Sequence, residues 1–139
     1  MPDYQLPGGP EKVKIHNNSG DKDITDVRVG VIALPGGQDG HDDEHLDPAI
    51  APGYGEVLTN IYATAPTATV CVTVFWAGGS ATCCCSDTRL HGGIREVVAT
   101  LDAAYNLNLW VRPFPTSIRA FACGCGAVPE GYPEELQGA

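Results

Sequence analysis

The stretch that decides the fold is residues 69–86, Thr-Val-Cys-Val-Thr-Val-Phe-Trp-Ala-Gly-Gly-Ser-Ala-Thr-Cys-Cys-Cys-Ser. Its first eight residues are rich in β-branched and aromatic side chains, the composition that strands prefer. The two glycines that follow Trp76 can take the positive φ angles of a two-residue hairpin turn. Residues 81–86 then return as the partner strand. The stretch therefore predicts a β-hairpin.

A turn centred on residues 78–79 sets the register of this hairpin by counting outward. Because side chains alternate between the two faces of a strand, Cys83 and Cys85 share one face, while Cys84 lies on the other face with Cys71. We take the face of Cys83 and Cys85 as the core face, since it also carries valines. The expected pairs are Trp76 with Ala81, Val74 with Cys83, Thr73 with Cys84 and Val72 with Cys85.

Turn signals divide the rest of the chain into further short strands. Seven or so such strands are typical of a two-sheet antiparallel β-sandwich, immunoglobulin-like or jelly-roll-like. Residues 93–105 fit either a short helix or a strand, because apolar residues recur there at helical spacing among β-branched ones. We therefore predict a mostly β fold, with strands near residues 12–16, 24–34, 56–63, 69–76, 81–86, 107–111 and 117–125.

The length of 139 residues fits one domain. Residues 1–11 are rich in Pro and Gly and predict an extended N-terminal arm, residues 12–125 the β-sandwich domain, and residues 126–139 an acidic C-terminal tail. The formal net charge of -9 disfavours nucleic acid as a partner. No run of about 20 apolar residues predicts a membrane span, and no signal peptide is evident.

The cysteines are the first group of candidate functional residues. An even number in a small domain permits a complete set of disulfides, which would favour an extracellular or particle-surface location. The alternatives are free buried thiols and a tetrahedral thiolate site for a metal such as zinc. Cys84, on the outer face, could instead cross-link subunits of an assembly. The six residues are Cys71, Cys83, Cys84, Cys85, Cys123 and Cys125.

A second group of candidates lies in residues 35–49, which predict a long acidic loop. His41, Asp43 and His45 carry donor atoms that divalent metals bind, and His91 lies in another predicted loop. A solvated acidic loop is the other interpretation. Trp110 and Tyr105 are candidates for contact with a ligand such as a glycan, against the alternative that Trp110 is buried. No other cofactor is expected.

Three stretches resemble bacterial immunoglobulin-like modules. Residues 13–29, beginning Val-Lys-Ile-His-Asn-Asn-Ser-Gly, are similar to their opening strands, residues 50–57 to the lead into their middle strand, and residues 69–74 to the following core strand. The resemblance implies surface, adhesion or assembly roles. The length, acidity and early His-Asn strand also resemble the aegerolysins, small lipid-binding β-sandwich proteins, although the Trp-rich and Cys-Gly-Arg segments of that family are missing.

These patterns favour a non-enzymatic β-sandwich that acts by binding or self-assembly, for example as a surface or particle subunit. Its partner would be a second copy or another protein. Catalysis lacks support because neither a Gly-x-Ser-x-Gly elbow nor a phosphate-binding loop occurs in the sequence. Two alternatives remain: a metal-binding protein or enzyme that uses His41, His45 or the cysteines, and a lipid- or glycan-binding module.

Overall fold

The computed structural model describes residues 10–33, 40–58, 67–114, 117–123 and 125. Strands account for most of this part of the chain, and the helical structure within it is one 3-10 turn, Thr88–Leu90. In chain order the strands are β1 (Pro10–Asn17), β2 (Ile24–Ala33), β3 (Gly40–Ile50), β4 (Gly55–Leu58), β5 (Thr67–Trp76), β6 (Gly79–Ser86), β7 (Ile94–Leu101), β8 (Leu107–Pro113) and β9 (Phe121–Ala122).

The strands form two sheets packed around a shared core. Sheet 1 has the order β4-β1-β7-β8-β9, and sheet 2 has the order β3-β2-β5-β6. Neighbouring strands are antiparallel except β1 and β7, which run parallel. The predicted mostly β, two-sheet sandwich is confirmed. Its core draws on the inner faces of both sheets and includes Val13, Ile15, Val29, Val72, Val97 and Leu109.

The segment 93–105 contains a strand, so the helix was the wrong alternative for it. β7 lies at the centre of sheet 1 and is buried on both faces: Val97 faces the core, and Val98 packs with Trp110 on the outer face. Two buried faces place apolar residues at successive positions, which can match helical spacing by coincidence. A turn follows β7, and Tyr105 within it has a φ of 64°.

The segment from residue 40 to residue 50 is strand β3 and not part of an acidic loop. β3 pairs with β2 on one side only and forms an edge of sheet 2, where charged side chains are tolerated on both faces. Residues 35–39 of the predicted loop lie outside the described residues. So do residues 126–139 and all but the last two residues of the predicted arm. The predicted strand 117–125 is reduced to β9.

The β5–β6 hairpin turns one residue earlier than predicted. Ala77 and Gly78 form the turn, and Gly78 takes a φ of 90°. The register therefore shifts by two residues and keeps its parity, so Cys83 and Cys85 face the core as expected. Gly79 is the first residue of β6 and not part of the turn. Glycine is required at this position because a Cβ there would lie 2.9 Å from Trp76 Nε1. The observed pairs are Trp76 with Gly79, Val74 with Ala81, Thr73 with Thr82, Val72 with Cys83 and Cys71 with Cys84.

Candidate functional site

A break in regular pairing lies between β2 and β3. Asp26 pairs with His45, but the adjoining pair is Ile24 with Ile50, so residues 46–49 of β3 oppose Thr25 alone. The two strands separate here, as at a β-bulge. A groove of about 440 Å³ lies along the strands beside this separation. Its size falls within the range of small-ligand sites.

Two cross-strand pairs of opposite charge line the groove on the outer face of sheet 2. His45 Nδ1 lies 2.9 Å from Asp26 Oδ1, and Arg28 Nε donates a hydrogen bond to Asp43 Oδ1. The bond with Asp26 raises the pKa of His45, while bonds from His45 and Thr25 lower the pKa of Asp26. The bond from Arg28 lowers the pKa of Asp43. Each hydrogen bond therefore favours the charged form of both of its partners.

Acidic side chains of β3 also point toward the core side of the sheet. Asp42 and Glu44 pair in register with the core residues Val29 and Val27, and both carboxyls are half-buried. Burial raises the pKa of each, and the charge of Asp42 adds to the rise at Glu44. Inward-pointing charges of this kind protect an edge strand from pairing with another strand. Glu44 lines the groove as well.

Aromatic side chains form the other part of the groove. Phe75 and Trp76, at the end of β5, both line it. Phe75 lies on the outer face with the charged pairs, whereas Trp76 lies on the core face and packs against the core. The rings of Trp76 and Tyr105 lie 5.9 Å apart between centroids, and the Tyr105 hydroxyl donates to Asp21 Oδ1 at 2.8 Å. The turns between β1 and β2, between β5 and β6 and between β7 and β8 thus meet at this end of the sandwich and hold Trp76 in place.

The predicted metal ligands do not converge. His41, Asp43 and His45 share the outer face of β3, but the two histidines are about 13 Å apart along an extended strand at about 3.3 Å per residue. His41 Nε2 contacts Asp43 at 3.4 Å, and His91 caps the 3-10 helix elsewhere. Within the described ranges, the structure shows no group of three or more His, Cys, Asp or Glu side chains placed to hold a metal ion.

The predicted aromatic pair is also separated by the fold. Trp110 lies on the outer face of sheet 1, where it is buried against Val98 and Ala120. Burial is therefore the correct alternative for Trp110. Tyr105 contacts Trp76 instead, with the two rings tilted to each other. Tyr105 remains close to the groove through its contact with Trp76, which lines it.

The cysteines form three disulfides, Cys71–Cys84, Cys83–Cys125 and Cys85–Cys123. The disulfide interpretation is correct, and the thiolate metal site is wrong because every sulfur is paired. The first bridge joins β5 to β6 on the outer face. The other two join β6, an edge of sheet 2, to the segment around β9, an edge of sheet 1. Covalent bonds therefore close one side of the sandwich.

Four residues that line the groove were not predicted from the sequence: Asp26, Arg28, Phe75 and Trp76. The alternation of Asp26 and Arg28 with the valines of β2 was a usable signal, because it places both on the outer face. Their partners were hidden because residues 41–45 are polar at every position, a pattern typical of a loop. The meeting of these residues follows from β3 being a strand.

Comparisons with protein-family models, with curated proteins and with solved structures find no match. Among the residues that the structure describes, no helix is both long and apolar enough to cross a membrane. The three disulfides are compatible with an oxidising environment.

Proposed function

We propose that this chain is a non-enzymatic binding module whose groove between β2, β3 and β5 takes a neutral glycan. The observation that carries the proposal is the meeting of two neutralised ion pairs with the ring of Phe75 on the outer face of sheet 2.

The charges of the groove suit hydroxyl groups. Asp26 is paired with His45 and Asp43 with Arg28, so a strongly charged ligand would have to compete with a bond already made. The same side chains keep spare donors on the guanidinium and spare acceptors on the carboxylates. A sugar hydroxyl both donates and accepts, and it can use both kinds of group without carrying charge.

The aromatic residues suit the apolar face of a sugar ring. The C–H groups of a pyranose form a flat surface that packs on an aromatic ring, as apolar groups do in general. Phe75 lies on the outer face of β5, half-buried, in register with Asp26. Its ring is therefore the surface on which the sugar would pack. The chain's net charge of -9 argues against anionic glycans.

A surface or secreted location agrees with this role. The disulfides need an oxidising compartment to form, and the resemblance of residues 13–29 to bacterial immunoglobulin-like modules implies surface proteins. Glycans of envelopes and matrices are reachable there.

Titration calorimetry with neutral oligosaccharides tests the proposal. The probes are cello-, xylo-, manno- and chito-oligosaccharides, and we expect saturable binding of at least one class, with the sugar recovered intact. Phe75→Ala should weaken that binding by about tenfold or more, the loss of one well-packed aromatic contact. Thr82→Ala, on the same sheet face but outside the groove lining, is the matched control. Failure of all four classes to bind would overturn the proposal, and so would cleavage of a probe.

Self-association is a second candidate, favoured by the β4 edge. Tyr54 and Val57 are exposed by 70% and 46% on or beside this edge strand and offer apolar surface to a second copy. Within the part of the chain that the structure describes, β4 forms the end of sheet 1 and pairs with β1 alone. Sedimentation velocity should then show a dimer that Val57→Lys converts to a monomer. A monomeric parent protein at high concentration would exclude this candidate.

A further inference from the structure

The Cys71–Cys84 disulfide differs from the other two in its position. Cys71 and Cys84 are direct cross-strand partners on the outer face of the β5–β6 hairpin, with Cα atoms 4.0 Å apart. Cys84 is exposed and Cys71 half-buried. Cys83, Cys85 and Cys123, which belong to the other two bridges, are exposed by 6% or less. In this bridge, unlike the other two, neither cysteine is buried in the core.

The residues around this bridge leave it open to an approaching molecule. Gly30 of β2 is the neighbour of Cys71 across the sheet and carries no side chain. β6 is the edge of its sheet, so no described strand pairs beyond Cys84. The flanking cross-strand pairs are small hydroxyl residues, Thr69 with Ser86 and Thr73 with Thr82.

We infer that Cys71–Cys84 is a site of thiol–disulfide exchange at which Cys84 captures an external thiol. In the first step a thiolate attacks Cys84 Sγ, a new S–S bond forms, and the Cys71–Cys84 bond breaks with its electron pair leaving on Cys71 Sγ, which takes a proton from water. A second thiol can attack the mixed disulfide and release Cys84 as a thiol. Overall two external thiols are oxidised to one disulfide, and the bridge is reduced to two thiols.

The other bridges resist the same attack because of where their leaving groups lie. Cys125 is exposed, but attack on its sulfur expels the thiolate of Cys83, which is exposed by only 1%. A thiolate in the apolar core is strongly disfavoured. Cys85 and Cys123 are both buried, so neither sulfur is open to attack. Selectivity for Cys84 follows from burial alone.

Exchange at this site leaves the fold intact. β5 and β6 are hydrogen-bonded strands paired from Thr69–Ser86 to Trp76–Gly79, and the Thr73 and Thr82 hydroxyls lie 2.8 Å apart. The register of the hairpin therefore does not depend on the bridge. The two remaining disulfides still join β6 to the segment around β9.

Stepwise reduction of the folded protein with dithiothreitol tests this inference. Free thiols are trapped with N-ethylmaleimide and located by peptide mass spectrometry, while circular dichroism monitors the fold. We expect Cys71 and Cys84 to be labelled about tenfold or more faster than the other four cysteines, as exposed bridges are more easily reduced. Simultaneous labelling of all six, or labelling that begins only when the folded signal is lost, would overturn it.

Variants in which one cysteine of this bridge is replaced by serine identify the source of the captured thiol. Cys71→Ser leaves Cys84 as a free exposed thiol, which should attack cystamine to form a mixed disulfide and release cysteamine. In air-saturated buffer without added disulfide, dissolved dioxygen should oxidise two such thiols to an inter-chain dimer, seen on non-reducing electrophoresis. The adduct assigns a small thiol and the dimer a second copy; either supports capture at Cys84. Cys84→Ser, which leaves the half-buried Cys71, is the matched control and should react more slowly. If the Cys71→Ser variant forms neither product, Cys84 is not a capture residue.

Discussion

His45 of β3 and Asp26 of β2 face each other directly across the two strands that border the groove, with 2.9 Å between His45 Nδ1 and Asp26 Oδ1. The pKa of His45 is raised above 6.5, and the pKa of Asp26 is lowered below 3.8, mainly by this hydrogen bond. The contribution of protonated His45 to the free energy of unfolding is complete below pH 6.5 and is lost as pH rises through the pKa of His45 in the folded state. The contribution of ionised Asp26 to the free energy of unfolding is present above pH 3.8 and is lost as pH falls through the pKa of Asp26 in the folded state.

We predict that Asp26→Asn returns the titration midpoint of His45 toward 6.5, because the anionic partner is gone. The measurement is the His45 ring-proton shift followed by NMR across the neutral range. In thermal melts, the parent protein should lose stability relative to the His45→Gln variant as pH rises through the folded pKa of His45. His16 provides the internal control, since burial lowers its pKa and its shift should not respond to either substitution. An unchanged His45 midpoint in the Asp26→Asn variant would contradict the pairing.

A buried asparagine is the second target. Asn17 is fully buried, and its Nδ2 donates to the carbonyls of Lys22 and Ile50 while its Oδ1 accepts from Ser19 N and Ser19 Oγ. Asn17→Ala should lower the free energy of unfolding by about 2–4 kcal/mol, because these buried groups lose their partners. Urea denaturation measures the change. Asn18→Ala, at the exposed neighbour, should change it by about 0.5 kcal/mol or less.

Sequence patterns predicted the orientation of side chains where one face of a strand is buried and the other is exposed to solvent. In β5 and β6 the alternation of Val72, Val74, Cys83 and Cys85 with polar residues predicted both the faces and the separation of Cys84. The hairpin register was off by two residues because Gly79 looks like a turn residue. Its glycine is required instead by the Trp76 indole packed against it, a contact between side chains that no local pattern reveals.

The same patterns failed where a strand has two like faces. β7 is apolar on both because Val98 is covered by Trp110 and Ala120. β3 is polar on both over residues 41–45, where its position at an edge tolerates charged side chains. Period-2 alternation disappears in each case. The groove depends on β3, so most of the candidate site was not predictable from the sequence, although Asp43 and His45 were identified as ligand candidates.

Removal of single disulfides should separate their roles. Replacing both Cys85 and Cys123 by Ala should cost about 3–5 kcal/mol, mainly because two buried sulfurs leave a cavity in the core. The loop itself stays closed by Cys83–Cys125. Replacing both Cys71 and Cys84 by Ala should cost about 3 kcal/mol or less, since that bridge closes a short loop of the unfolded chain (sequence separation 13) and its loss leaves no cavity in the core. Guanidinium melts of the two variants compare these costs directly. Equal destabilisation would show that the outer bridge supports the core as much as the inner one does.

The inward acids of β3 should keep this edge from pairing with other chains. Asp42 and Glu44 are held half-buried with raised pKa values, so each charge opposes burial by an incoming strand. Replacing them together, by Asp42→Thr and Glu44→Val, should produce dimers or larger species in sedimentation velocity at neutral pH, beyond any seen for the parent protein. Thr69→Val with Thr73→Val adds comparable apolar surface on the central strand β5 and should leave the distribution unchanged. Association of both variants would instead implicate apolar surface in general, and an unchanged edge variant would mean that β3 is protected by its outer charges or by its shape.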